Sequence, residues 1–321
     1  MKLLLILSLL LLTLPALGCG NHEGGFAPEN GLEIPAYIKT DSPITKESFF
    51  TVINQVEEVY KPIMKDMGET LEIIKDWKTP TVNAYATKKN GKSIVKMFGG
   101  LARHPKMTED GFALVVCHEI GHHIGGAPKK GARWASNEGQ SDYWATLKCA
   151  RKAWANDDNF SIISEMEVPQ LVKDQCTKFH GTGHDYALCV RSAMGGFSLA
   201  NTLSDLRNSP PKGGGIPPKD ENFFGGEAVP PKFETPDVKK VRGTNDSHPA
   251  AQCRLDTYFM GAICGIDHSN DVDQKDPNVG VCNRYAKANA FMGGGKKGGQ
   301  PEKEVPGSRP RCWYKPTKRV Q

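Results

Sequence analysis

The sequence predicts an α+β fold, mainly helical, with a small mixed sheet. Apolar residues recur at helical spacing through residues 44–67 (Phe49, Val52, Ile53, Val56, Val59, Ile63) and again through 108–124. Residues 71–77, 81–88 and 92–98 read as strands, the last two flanking Asn90-Gly91. Helical patterns then return at 136–154, 159–173, 185–206 and 250–264.

In chain order, Met1-Lys2 and the apolar run 3–14 make a basic end and a stretch too short to span a bilayer, which predicts a signal peptide at 1–18. Gly18 before Cys19 resembles a bacterial lipobox, with Ala16 standing where that box prefers leucine. That resemblance implies lipidation of Cys19 and, with Gly20 next, the outer membrane. The same Ala-x-Gly also suits ordinary signal peptidase and a freely secreted chain. Of nine cysteines, lipidating Cys19 leaves an even set of eight, as expected for disulfides in an oxidising compartment such as the periplasm. Cys117 and Cys149, both on the helices that carry the motif below, are the readiest candidates for free thiols.

Residues 19–42 are polar with Gly and Pro and read as a tether; the domain is expected over 43–265. Asn90-Gly91 suits a two-residue hairpin turn, because both central residues of a type I′ turn need positive φ. The strand at 92–98 precedes the next helix directly. As an exposed edge, its residues Ile94, Val95, Lys96 and Met97 would pair with an extended peptide.

Thr108-Glu109-Asp110 looks like a helix start, and Gly125-Gly126 with Pro128 a stop. Between them stands His118-Glu119-Ile120-Gly121-His122, an H-E-x-x-H pattern. Positions i and i+4 share a helix face, so His118 and His122 can hold one zinc ion per chain. Glu119, beside the first ligand, can reach a metal-bound water as general base. A third ligand is required, and Glu138 opens a second helical pattern, expected at about 136–154. Asp142, one turn further, can accept the free ring N–H of a ligand histidine. The pattern H-E-x-x-H-x-x-G-x-x-H is followed as far as Gly125, but its last position is Pro128, which cannot bind zinc. The glutamate-ligand alternative is left.

His180 and His184 sit near glycines between helices and read as solvated loop histidines. Residues 208–244 are dense in Pro and Gly and read as a long loop at a cleft rim. Residues 266–321 form a basic extension. From Gly293 onward eight Lys or Arg face two acids, a balance of +6 that leaves the rest of a chain of net charge +5 close to neutral. With little to bury, this extension reads as a solvated tail. No aromatic interleaving or motif supports a nucleic-acid partner.

Several segments together resemble the HtpX and CAAX-prenyl-protease-like zinc peptidases, metallopeptidase family 48. They are Val82-Asn83-Ala84-Tyr85-Ala86, Gly99-Gly100-Leu101, His118 to His122, Glu138 to Asp142, and His248-Pro249 with Arg254. The resemblance covers roughly 81–256 and implies a zincin-like fold of the glutamate-ligand (gluzincin) type, zinc, and endopeptidase action on protein or peptide substrates of the cell envelope. It also implies His248 as a partner of the oxyanion and Arg254 as the residue orienting the His248 segment. The short His122–Glu138 gap, the cysteines and the Pro/Gly-rich loop depart from the family. A zinc-stabilised binding or chaperone-like protein of the envelope is the alternative from another class.

Overall fold

The computed structural model describes residues 25–131, 133–206, 229–283 and 305–317. The expected signal peptide and Cys19 lie outside the described residues, as do 207–228 of the Pro/Gly-rich stretch and 284–304 and 318–321 of the basic extension.

The fold is α+β. Helix α1 (Lys46–Asp66) begins in a capping box: the Thr45 hydroxyl accepts from Ser48 N, and the Ser48 hydroxyl accepts from Thr45 N. It buries Phe49, Ile53, Val56, Tyr60 and Met64 against the rest of the core. Three strands follow, β1 (Thr70–Asp76), β2 (Ala84–Lys89) and β3 (Lys92–Phe98). Asn90 (φ 51°) and Gly91 (φ 73°) make the tight turn between β2 and β3.

The sheet order is β1-β3-β2, with β1 parallel and β2 antiparallel to β3. This corrects the expectation for Ile94, Val95, Lys96 and Met97. They lie on the central strand, each paired on both sides, with no free edge to offer a peptide. The outer strands are β1 and β2.

After β3 the chain turns into the short helix α2 (Gly99–Ala102). A Cβ on Gly100 would stand 1.9 Å from the Pro80 carbonyl oxygen, so this crossing admits only glycine. Helix α3 (Glu109–Ile124) is capped by the Thr108 hydroxyl on Gly111 N and is buried from Asp110 to its end. A helix buried on all faces is the core of its domain.

The second motif helix is α4 (Glu138–Trp144), continued by a π-helical segment (Ala145–Cys149) and the short α5 (Ala150–Ala153). Then come α6 (Asn159–Ser164), α7 (Gln170–His180), α8 (His184–Leu206) and α9 (Ala251–Ile263). The single helix expected over 159–173 is split, because Pro169 caps α7 and disfavours helical backbone in the residue before it. Where α6 approaches α8, Arg191 pairs with Asp110 and Asp157 and lies 4.2 Å over Trp154.

Four disulfides join the described residues: Cys117–Cys149, Cys176–Cys189, Cys253–Cys312 and Cys264–Cys282. Cys117 and Cys149 are therefore paired, not free. The pairing agrees with an oxidising, exported setting.

Two further expectations change. Residues 305–317 are part of the core: Trp313 is fully buried, with Cys312 and Tyr314 beside it. The tether reading fails from residue 25 onward, where Phe26, Ala27 and Asn30 are buried. Among the described residues no helix is long and apolar enough to cross a membrane.

Candidate metal centre

Helix α3 sets His118 and His122 one turn apart on one face, with Glu119 between them. Glu138 is the first residue of α4, whose N-terminus is capped by the Asn137 side chain on Gln140 N at 2.9 Å. A carboxylate there meets the positive end of the helix dipole. The short connection back to α3 is pinned at several points. Ser136 N donates to His122 O at 2.9 Å, the Ser136 hydroxyl to Gly126 O at 2.6 Å, and Gln140 Nε2 to Gly125 O at 2.8 Å.

The donor atoms of His118, His122 and Glu138 all lie within 4.8 Å of one another, and all three residues are buried. Glu138 Oε2 stands 3.3 Å from His118 Nε2 and 3.8 Å from His122 Nε2. The outer ring nitrogens are already engaged. His118 Nδ1 donates to Asp142 Oδ1 at 2.7 Å, and His122 Nδ1 to Ser136 O at 2.8 Å. These bonds fix the tautomer and turn each Nε2 lone pair inward.

His118 Nε2, His122 Nε2, Glu138 Oε2 and both Glu119 oxygens are buried with no hydrogen-bond partner. Buried polar atoms without partners are costly, and a group of electron-pair donors facing each other fits a cation. The three residues can hold a metal ion.

The electrostatics are strong. Burial opposes the ionisation of Glu138, but His248, His122 and His118 together hold its pKa well below the usual carboxylate value. Burial pushes His122 down to about 4, the neutral form a ligand requires. Burial also disfavours the charged form of His118, yet the Asp142 carboxylate outweighs it and holds the ring at about 9, so a metal bound at Nε2 would replace a proton there. Glu119 is raised to about 8, chiefly by burial, with the Glu138 charge adding to it against His118.

Asp142 is the hub behind the ligands. Arg254 donates to both its oxygens at 2.7 Å, and the Tyr258 hydroxyl donates to Oδ1. Burial alone would raise its pKa; Arg254 and His118 hold it below the ordinary value. Arg254 thus braces Asp142, and through it His118, where the resemblance had it orienting the His248 segment. Tyr258 was missed in the sequence, although it stands one helical turn from Arg254. The Ser136 carbonyl carries no sequence signal.

His248 comes to the same centre. Its Nε2 lies 3.4 Å from Glu138 Oε2 and donates to Gly25 O at 2.6 Å. Phe26 stands edge-on to the His118 ring at 5.3 Å. His180, by contrast, is elsewhere, with Nε2 donating to Ala262 O at 2.9 Å.

Comparison with protein-family models, with curated proteins and with solved structures gave no match.

Proposed function

We propose that this chain is a zinc-dependent endopeptidase of the gluzincin type, zincin-like in fold and akin to the HtpX-like peptidases. One observation carries the reading: two inward Nε2 atoms and one carboxylate converge beside a fully buried glutamate whose oxygens have no other partner. A structural zinc site is usually closed by four protein ligands and has no use for such a glutamate. The imidazole and carboxylate donors suit zinc.

Bound zinc supplies Lewis-acid activation of a water and of the scissile carbonyl. The protein's residues do the rest. Glu119 takes a proton on a carboxylate oxygen and returns it to the leaving amine. The burial that raises Glu119 is what brings a carboxylate into the range of a working base near neutral pH. His248, with its N–H already turned toward a peptide carbonyl, stabilises the developing oxyanion. Asp142 and Arg254 keep His118 in its ligating tautomer. The four disulfides support action outside the cytoplasm, and anchoring through lipidated Cys19 is part of this proposal.

The test is zinc content and casein cleavage measured on wild type, Glu119→Gln and Glu138→Ala. Wild type should carry about one zinc and cleave. Glu119→Gln should keep the metal and lose turnover by about a hundredfold or more. Glu138→Ala should lose both. Zinc retained with no cleavage of any unfolded protein would favour the binding-protein reading.

A further inference from the structure

Residues 25–34 are hydrogen-bonded to 80–84, the stretch that leads into β2. Phe26 N donates to Ala84 O at 2.9 Å, Val82 N to Leu32 O at 3.3 Å and Ile34 N to Pro80 O at 2.8 Å. The antiparallel pairing is the isolated bridge Glu33↔Thr81, and the chain bends through 26–29 between it and the bond to Ala84, so the two stretches are joined at their ends rather than along a ladder. Its first residues lie across the metal centre. The Gly25 carbonyl receives the His248 Nε2–H at 2.6 Å. The Phe26 carbonyl receives Arg254 Nη1 at 2.6 Å. Ala27 exchanges two hydrogen bonds with the Asn83 carboxamide, both 3.0 Å.

The side chains are seated as selectively as the backbone. The Phe26 ring is fully buried, edge-on to His118 and 4.4 Å beneath the Arg254 guanidinium. At Gly25 a Cβ would meet Ala84 O at 2.5 Å, Asn83 Oδ1 at 2.6 Å and the Tyr85 ring at 2.7 Å. Over this segment His118, Glu119 and Glu138 are wholly buried and His122 nearly so, which leaves an outside polypeptide no path to them.

We propose that Gly25-Phe26-Ala27 occupies the substrate groove of the peptidase as a substrate does. The groove takes a polypeptide with glycine on the carbonyl side of the bond at His248 and a phenylalanine-like ring immediately after it. The chain's own segment competes with substrates and keeps the site latent until displaced. Asn83 and Ala84, ahead of and at the start of β2, are the docking edge that the central strand β3 cannot be. This inference rests on the proposed peptidase activity for the name of the groove, while its geometry concerns binding alone.

The test uses the full chain loaded with zinc, in wild type, Phe26→Ala and Ala27→Pro. The second variant removes the N–H that Asn83 accepts and leaves the groove wall intact, so it decides the matter if Phe26→Ala does not fold. Transfer of zinc to a chromophoric chelator should speed up by about tenfold in both, as expected when a buried ring or a buried hydrogen bond is lost. The peptide acetyl-Gly-Gly-Phe-Ala-amide should bind the variants and slow zinc transfer again. Its analogue with Ala for Phe should bind at least about tenfold more weakly. Zinc transfer at the wild-type rate, or equal binding of the two peptides, would overturn the groove assignment even in a protein that cleaves casein. Selective peptide binding without casein cleavage would keep the groove and remove the peptidase.

Discussion

Asp142 serves three partners with two oxygens, and the site depends on all of them. Replacing it with Asn leaves the buried Arg254 guanidinium without its counter-charge and offers His118 a weaker acceptor. Asp142→Asn should bind zinc about 10- to 100-fold more weakly in chelator competition and lose about 3–5 kcal/mol in denaturant unfolding. A second residue gives a pH signature away from the metal. His180 is pushed down to about 4 by burial and by the Arg151 charge. Its folded pKa lies below the unfolded 6.5, so protons favour the unfolded chain. Stability should be full above pH 6.5 and fall between 6.5 and 4. Screening at this half-buried position keeps the loss on the order of 1 kcal/mol. His180→Gln can still donate to Ala262 O and should flatten that slope in thermal melts across the window. At this scale His118, Glu119, His122, Glu138 and Asp142 were legible because helix periodicity is local and aims each of them. Phe26 and Tyr258 were not, since each reaches the site through contacts more than a hundred residues away in sequence.

Helix α9 lies so close to the second motif helix that only glycine fits at the crossing. A Cβ on Gly261 would stand 2.2 Å from Thr146 Oγ1 and 2.6 Å from the Tyr143 carbonyl oxygen. Thr146 belongs to the π-helical segment, and its hydroxyl donates to Tyr258 O at 2.8 Å, tying the two helices together. Gly261→Ala must push them apart and should cost about 1–3 kcal/mol or more in chemical denaturation. Because Tyr258 and Arg254 ride on α9, zinc affinity should fall with it. The helices were legible from apolar periodicity, the α3 start from Thr108, and the hairpin from Asn90-Gly91. Strand order was not: hydrophobic alternation in residues 92–98 is the same for a central and an edge strand. Which it is depends on β1, two strands earlier in the chain, pairing in parallel along its other side. The π-helical insertion also has no local signature in Ala145–Cys149.

The molecule is closed by its distant parts. Cys253–Cys312 spans 59 residues and fastens 305–317 against α9 and α4, where Trp313 covers Gly139. Removing the bridge by Cys253→Ala with Cys312→Ala should lower stability by about 2–4 kcal/mol without reductant. It should also shift Trp313 emission to the red as water reaches the ring. Composition hid this part of the fold. The segment is basic and rich in Pro and Gly, and its few aromatic residues, Trp313 and Tyr314, are the ones that bury. Cysteine pairing is equally invisible in sequence, because eight thiols admit many connectivities. The Gln140 side-chain oxygen accepts from the buried Arg309 guanidinium at 2.9 Å. The metal centre joins positions 112 residues apart at Asp142 and Arg254 and 228 apart at Phe26 and Arg254. The helix carrying Glu138 is wedged by Arg309, 169 residues beyond Gln140. Such separations make for slow, late assembly. A chain emerging from its N-terminus holds both histidines and the glutamate long before it holds the residues that lock them in place. Completion of the candidate metal centre therefore waits on residues near both ends of the described chain, Phe26 and Arg309.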